Sequence, residues 1–107
     1  MVRRNIQKII NQYSNELVRL GIHPEQVLIY GSQTKGTARP DSDIDLIVIS
    51  KDWKKHNELE RLEILGLAAA RILEPVQAKG FTPKEIELNQ LSPFWAFIFR
   101  EVASPIA

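Results

Sequence analysis

The chain has 107 residues, of which 44% are apolar and 25% charged, and its formal net charge is +1. This balance predicts one globular domain over residues 1–107, and the near-neutral charge argues against a general nucleic-acid-binding surface. There is no cysteine, no apolar run close to the ~20 residues that span a bilayer, and no signal-peptide core in MVRRNIQKII, so a cytoplasmic protein without membrane contact is expected.

The first half of the chain predicts one helix and two strands. Apolar residues recur at helical spacing over residues 2–20, which predicts an amphipathic helix with Gly21 as its C-terminal cap. Residues 27–30 predict a short strand. Residues 44–49 are an unbroken run of β-prone apolar side chains, which is typical of a strand covered on both faces.

A second long helix is predicted after residues 51–56, which are charged and suggest an exposed connection. Asn57 and Glu60 have the spacing of a capping box, so the helix should begin there. Pro75 ends it. Its buried stripe is predicted to consist of Leu62, Leu65, Ala69, Ile72 and Leu73.

The last third of the chain predicts a strand and two short helices. Residues 76–81 form the weaker strand candidate, and the pairs Thr82-Pro83 and Ser92-Pro93 each indicate the start of a helix. The order helix, strand, short helix, strand, helix, strand, helix, helix predicts an α/β (α+β) domain on a small sheet. Sequence order alone leaves the strand directions open.

Two aspartates open the most apolar strand. Residues two apart in a strand point to the same face, so Asp43 and Asp45 should present both carboxylates to one side. Such a pair repels itself unless a cation lies between the two groups. Carboxylates on a rigid element suit Mg²⁺, so the pair is predicted to be the catalytic metal site.

A Gly-Ser turn precedes these acids by about a dozen residues. Gly31 allows a sharp turn and a close approach of the backbone to a ligand. A short helix over residues 33–35, closed by Gly36, would direct free N–H groups at an anion, with the Ser32 hydroxyl and the Lys35 ammonium as further donors. Gly31, Ser32 and Lys35 are therefore predicted to bind the phosphates of a nucleoside triphosphate.

The stretch GSQTKGTARPDSDIDLIV resembles the signature of the minimal nucleotidyltransferases of the DNA polymerase beta superfamily. That resemblance implies the nucleotidyltransferase fold, a small mixed β-sheet flanked by helices. It also implies transfer of a nucleoside monophosphate from an NTP, expected to be ATP, to a hydroxyl acceptor with Mg²⁺ or Mn²⁺ as cofactor. The matching positions are Gly31, Ser32, Gly36, Asp43 and Asp45.

The sequence departs from the family pattern at the third carboxylate. The family's third acid aligns with Gln77, whose amide cannot accept a proton, while Glu74 lies three residues earlier, before Pro75. Gln77 and Glu74 remain alternatives for this position, and catalytic competence depends on which residue occupies it.

A second function is therefore kept open beside the enzyme. Minimal nucleotidyltransferases of this kind are often paired with an all-helical HEPN-type protein, so the chain could be an antitoxin-like or regulatory partner with weak catalysis. The run FWAFIF in the helix predicted from Pro93 to Val102 is apolar on nearly every side. It could cover the core, or it could form an interface with a partner or a second copy.

Overall fold

The structure is a computed structural model, and it describes residues 5–31, 43–88, 90–102 and 104–105. In chain order its elements are α1 (Ile6–Arg19), β1 (Gln26–Tyr30), β2 (Ile44–Ile49), a 3-10 helix (Lys51–Lys55), α2 (Glu58–Ile72), β3 (Val76–Phe81), α3 (Pro83–Glu87), α4 (Pro93–Phe97), a π-helical turn (Ile98–Val102) and β4 (Ser104–Pro105). The short helix predicted at residues 33–35 lies outside the described residues.

The four strands form one mixed sheet in the order β3-β2-β1-β4. β2 runs antiparallel to β1 and parallel to β3, and β4 pairs antiparallel with β1 at the outer edge. The parallel step from β2 to β3 passes through α2, which supplies the long crossover that such a pair requires. A small mixed sheet flanked by helices confirms the predicted fold class. The two-residue β4 was not predicted, because it is too short to carry an alternation pattern.

Helix α1 has a favourable capping residue at each end. Asn5 is the N-cap, and its side chain accepts a hydrogen bond from the backbone N–H of Lys8 at 3.1 Å. The helix therefore starts at Ile6 rather than at residue 2. Gly21 has a φ of +91° just after the helix, which confirms its predicted role in the C-terminal cap.

Strand β2 is buried on both faces, as predicted. Ile44, Leu46 and Val48 pack into the core that α1 and α2 share with the sheet. Ile47 and Ile49 point the other way, into a second cluster that includes Ile98 and Phe81. Asp43, Asp45 and Ile47 are two residues apart along the strand and therefore point to the same face, the side of the sheet that the C-terminal segment covers.

The connection over residues 51–56 is more ordered than its charge indicated. It contains a 3-10 helix whose Trp53 is fully buried and donates its indole N–H to the carbonyl of Val48 at 3.1 Å. The indole lies directly over Gly80 in β3, where an added Cβ would come within 2.7 Å of the ring. Gly80 therefore leaves the space that Trp53 occupies.

Helix α2 has the predicted start but a different buried face. The capping box of Asn57 and Glu60 is complete. The helix buries Arg61, Leu65 and Ala68, and not the predicted stripe as a whole. Leu62 and Leu73 are 52% and 88% exposed, so their assignment to the core was wrong.

The physical reason is an arginine that occupies a core-facing position. Arg61 is buried and donates to the carbonyls of His56, Gly80 and Trp53, and its guanidinium also pairs with Glu85 at 2.9 Å. The bond to Gly80 ties this face of α2 to β3, and the bonds to Trp53 and Glu85 tie it to the 3-10 helix and to α3. A prediction from apolar residues alone places arginine at the surface. It therefore rotates α2 about its axis away from the orientation in the structure, in which Arg61 faces the core.

The C-terminal segment covers one face of the sheet and leaves an apolar edge. The Trp95 ring meets the rings of Tyr30 and Phe81 edge-on at centroid distances of 5.6 and 5.5 Å. Phe94 and Phe97 are exposed. The segment thus covers the core and also presents two aromatic side chains at the surface. No helix in the described ranges is long and apolar enough to cross a bilayer.

Candidate active site

The predicted acids lie where the end of β1 meets the start of β2. Tyr30, the last residue of β1, is the register partner of Asp45 in the antiparallel pair. Gly31 follows at once. Asp43 precedes β2 and is exposed, whereas Asp45 lies within the strand and is partly buried. Gly31, Asp43 and Asp45 are therefore brought together.

Gly31 is held against the carboxylate of Asp45. Its φ is +78°, in the left-handed region that favours glycine. A Cβ built there would lie 2.5 Å from Oδ2 of Asp45 and 3.3 Å from its Cγ. Any side chain at residue 31 would therefore have to displace this carboxylate. The sequence predicted only that Gly31 lets the backbone approach a ligand, so the constraint from Asp45 is a second reason for glycine at this position.

Gln77 stands beside the two acids on the neighbouring strand. It is the register partner of Asp45 in the parallel pair of β2 and β3. Its side-chain amide donates a hydrogen bond to Oδ2 of Asp43 at 2.6 Å. Glu74 lies before the first residue of β3, at the junction with α2. Gln77 is therefore the β3 residue whose side chain meets the aspartate pair.

Among the described residues, Asp45 is affected both by its own burial and by the charge of Asp43. Burial, and then the negative charge of Asp43, raise the pKa of Asp45 above its ordinary value of 3.8. The same negative region reaches Tyr30. Its pKa is raised to about 12, first by burial and then by Asp45. A bound cation would relieve both effects, because it favours the ionised carboxylates.

Tyr30 was missed in the sequence reasoning. Its phenol shares the face with Asp45 and Trp95, between the acids and the aromatic cluster. The signal was available in the period-2 alternation of β1, which places Leu28 and Tyr30 on one face. Only the antiparallel pairing with β2, however, shows that this face carries the aspartates.

Two predicted nucleotide-binding residues, Ser32 and Lys35, lie outside the described residues. Within the ranges that are described, no group of three or more histidine, cysteine, aspartate or glutamate side chains could hold a metal ion. Asp43 and Asp45 form a two-carboxylate set, and the Gln77 amide lies beside them with its N–H toward Asp43. Carboxylate and amide oxygens are nevertheless hard donors, of the kind that Mg²⁺ and Mn²⁺ prefer. The donor set therefore fits such an ion.

The site thus consists of paired acids at the start of β2, beside a glycine turn, on a mixed sheet. The family model for the nucleotidyltransferase domain matches residues 10–93, and the chain belongs to this family. The match supports transferase activity in general, and members of the family generally use divalent metal ions. None of the curated proteins matches the sequence significantly.

Two solved structures are similar to the chain. One is a candidate nucleotidyltransferase from Sulfolobus solfataricus, with 23% identity and a TM-score of 0.58, over 77% of this chain and 71% of that one. The other is a toxin-antitoxin structure with AMP-PNP, with 20% identity and a TM-score of 0.60, over 92% of this chain and 70% of that one. At these identities the likeness concerns the fold, which agrees with the nucleotidyltransferase assignment.

Proposed function

We propose that the chain is a metal-dependent nucleotidyltransferase that acts in the cytoplasm as one domain and transfers a nucleoside monophosphate from an NTP, in the first place ATP, to a hydroxyl. The observation that carries the proposal is the cluster of Asp43, Asp45 and the Gly31 turn, in which the carboxylate of Asp45 leaves no room for a Cβ at residue 31. Family membership supports the same reaction class. Mg²⁺ or Mn²⁺ would neutralise the developing charge on the phosphoryl oxygens.

Each part of the site has a distinct task in this reaction. Asp43 and Asp45 would hold the ion, and Gly31 with Ser32 and Lys35 would hold the triphosphate. The acceptor hydroxyl gives its proton to water, its oxygen bonds to the α-phosphorus while the bond from that phosphorus to the α–β bridging oxygen breaks, and pyrophosphate leaves. A rotation of the Gln77 amide would turn its oxygen, rather than its N–H, toward the ion.

Gln77 limits the rate, because an amide cannot take the acceptor's proton. General base catalysis typically contributes ~10²–10⁴-fold, so the isolated chain should bind nucleotide but turn over slowly. Gln77→Glu would put a third carboxylate next to Asp43. We expect it to raise single-turnover rates at least about tenfold with a competent acceptor. If Glu74→Gln abolishes activity and Gln77→Glu has no effect, Glu74 is the third acid instead.

The binding half of the proposal is tested by calorimetry with Mg²⁺ and a non-hydrolysable ATP analogue. Asp43→Asn and Asp45→Asn should each weaken binding strongly. Glu87→Gln is the matched control, because it removes one negative charge from α3, which follows the opposite end of β3. Equal affinities in all three variants would overturn the assignment of the aspartates.

A second candidate function is that of a regulatory or antitoxin-like partner of a helical, HEPN-type protein. The exposed Phe94 and Phe97 favour it, since they extend the aromatic cluster at Trp95 to the surface. The solved toxin-antitoxin structure with AMP-PNP has a similar fold. The same patch could pair two copies of the chain. Nucleotide binding without turnover, together with a helical partner retained on the chain, would favour this role.

A further inference from the structure

Tyr30 carries a side-chain hydroxyl that the packing of its ring does not explain. The ring is partly buried against the aromatic cluster and lies edge-on to Trp95 at a centroid distance of 5.6 Å. A phenylalanine would make the same ring contacts. Within the described part of the chain, the Tyr30 hydroxyl has no hydrogen-bond partner. A partly buried polar group without a partner weakens the fold, so this hydroxyl calls for a reason outside packing.

The other tyrosine of the chain shows the usual arrangement. Tyr13 is almost fully buried, and its hydroxyl donates a hydrogen bond to the carbonyl of Leu65 at 2.8 Å. The protein itself thus satisfies Tyr13, as it does most buried hydroxyls. The Tyr30 hydroxyl is left with its proton at neutral pH, because an ordinary phenol loses it only near pH 10. It is therefore a hydrogen-bond donor open to a ligand.

Tyr30 stands between the aspartates and the glycine turn. It is the register partner of Asp45, so the two side chains leave the sheet on the same face with Cβ atoms about 4.5–5.5 Å apart. The negative charge of Asp45 acts on the phenol, which places the hydroxyl within electrostatic range of the carboxylate. Gly31 is the next residue along the chain. A ligand held by the acids and by the turn would therefore lie beside this hydroxyl.

The aromatic cluster holds the phenol in one place. Trp95, whose edge-on contact fixes the Tyr30 ring, is itself packed against Phe81 and Phe94 at centroid distances of 5.5 and 5.1 Å. A side chain that is already ordered loses little conformational freedom when a ligand binds. The Tyr30 hydroxyl is thus a preorganised donor at the edge of the candidate site.

A phosphate oxygen is the ligand atom whose chemistry fits this donor. Mg²⁺ in proteins typically takes one or two carboxylates together with the phosphates of a substrate. Phosphate oxygens are strong acceptors, and they need donors that Asp43 and Asp45, as acceptor-only carboxylates, cannot supply. The neutral phenol of Tyr30 supplies one from the same face of the sheet.

We propose that the Tyr30 hydroxyl donates a hydrogen bond to a phosphate oxygen of the nucleotide bound with its metal ion at Asp43 and Asp45. Tyr30 is then a further binding residue of the site, with no part in proton transfer. This inference rests on the proposed function, because it requires a nucleotide at these aspartates.

The test compares Tyr30→Phe with Tyr13→Phe, which removes the same hydroxyl away from the site. Binding of Mg²⁺ with the non-hydrolysable ATP analogue is measured by calorimetry, and stability by thermal unfolding. Tyr30→Phe should bind about 10–100-fold more weakly, as expected for a hydrogen bond to a charged acceptor, and should melt like the wild-type chain. Tyr13→Phe should bind like the wild-type chain and melt several degrees lower, because it loses a buried hydrogen bond.

A second probe identifies the atom that the hydroxyl contacts. Inorganic tripolyphosphate with Mg²⁺ should show the same loss of affinity in Tyr30→Phe, because the contact is to phosphate. A loss confined to the ATP analogue would place the contact at the nucleoside and overturn the proposal. The proposal is also overturned if Tyr30→Phe binds both probes like the wild-type chain, or if it lowers only the melting temperature.

The aspartate variants separate this inference from the proposed function. If Asp43→Asn weakens binding of the ATP analogue and Tyr30→Phe does not, the inference about Tyr30 fails and the proposed function stands. If Asp43→Asn binds like the wild-type chain, or the wild-type chain binds neither probe, the proposed function fails and the inference fails with it.

Discussion

Gly31 offers a sharp test of the candidate site, because the chain contains a matched control. Gly31 and Gly21 both have positive φ, at +78° and +91°, but a Cβ at Gly21 meets nothing within 4 Å. Alanine at either position incurs the left-handed backbone strain of roughly 1–2 kcal/mol. Alanine at residue 31 must also displace Oδ2 of Asp45, which lies 2.5 Å from the new Cβ.

The additional cost can be estimated from this overlap. An ordinary contact needs about 3.4 Å, so the carboxylate must move by about 1 Å and leave its preferred rotamer, at roughly 0.5–1.5 kcal/mol. For a chain of this size 1 kcal/mol corresponds to about 4–8 °C in melting temperature. We therefore expect Gly31→Ala to melt several degrees below Gly21→Ala. A 1 Å displacement of a reacting group can cost about 10²-fold in rate, so activity should fall far more than stability.

The assay measures thermal unfolding and calorimetric binding of Mg²⁺ with the ATP analogue, on both variants. Gly21→Ala should bind like the wild-type chain, and Gly31→Ala should bind much more weakly although circular dichroism shows it folded. Equal losses of stability, with unchanged binding in both variants, would refute the argument that Gly31 positions Asp45.

Two further predictions concern other parts of the molecule. Burial raises the pKa of Glu85, but hydrogen bonds from Arg61 and the backbone of Thr82 outweigh it and hold the pKa below 4.5. We therefore expect Glu85→Gln to lower the free energy of unfolding by about 1–3 kcal/mol at neutral pH. A carboxylate with a lowered folded-state pKa stabilises the fold only while it is ionised. The difference in free energy of unfolding between the wild-type chain and Glu85→Gln should therefore shrink as the pH falls through the folded-state pKa of Glu85. An equal difference near pH 3 would contradict this. Phe97→Glu should destabilise the chain by roughly 1–2 kcal/mol, because Phe97 is 48% exposed and its covered half is lost, but the chain should remain folded. It should also abolish retention of a helical partner in pull-downs, and unchanged retention would exclude the Phe94–Phe97 patch as the partner site.

Features set by neighbouring residues could be predicted from the sequence. Asn57 with Glu60, and the Thr82-Pro83 and Ser92-Pro93 pairs, start helices because their side chains bond backbone groups within one turn. The strand at residues 44–49 was found for a similar reason, because its apolar run is local. Such signals need no knowledge of the tertiary structure.

Features that depend on pairing between distant segments could not be predicted. The rotation of α2 follows from Arg61, whose partners at Gly80 and Glu85 come from β3 and α3. The contact of Gly31 with Asp45 requires the β1–β2 register, and that of Gln77 with Asp43 requires the β2–β3 register. The residue types of the site could be predicted from the sequence, whereas strand register decides which of them meet.

The position of Gln77 explains why this site could favour binding over turnover. The pKa of Asp45 is already raised by burial and by Asp43, so the ionised form of Asp45 opposes folding unless a cation is present. A third carboxylate at residue 77 would add to the repulsion between the acids, whereas the Gln77 amide donates a hydrogen bond to Asp43 and stabilises that carboxylate. The glutamine thus stabilises the metal-free chain and removes a candidate base. Gln77→Glu should therefore unfold more easily without metal and gain more stability when Mg²⁺ is added, and a variant that differs from the wild-type chain in neither respect would show that residue 77 does not belong to the metal site.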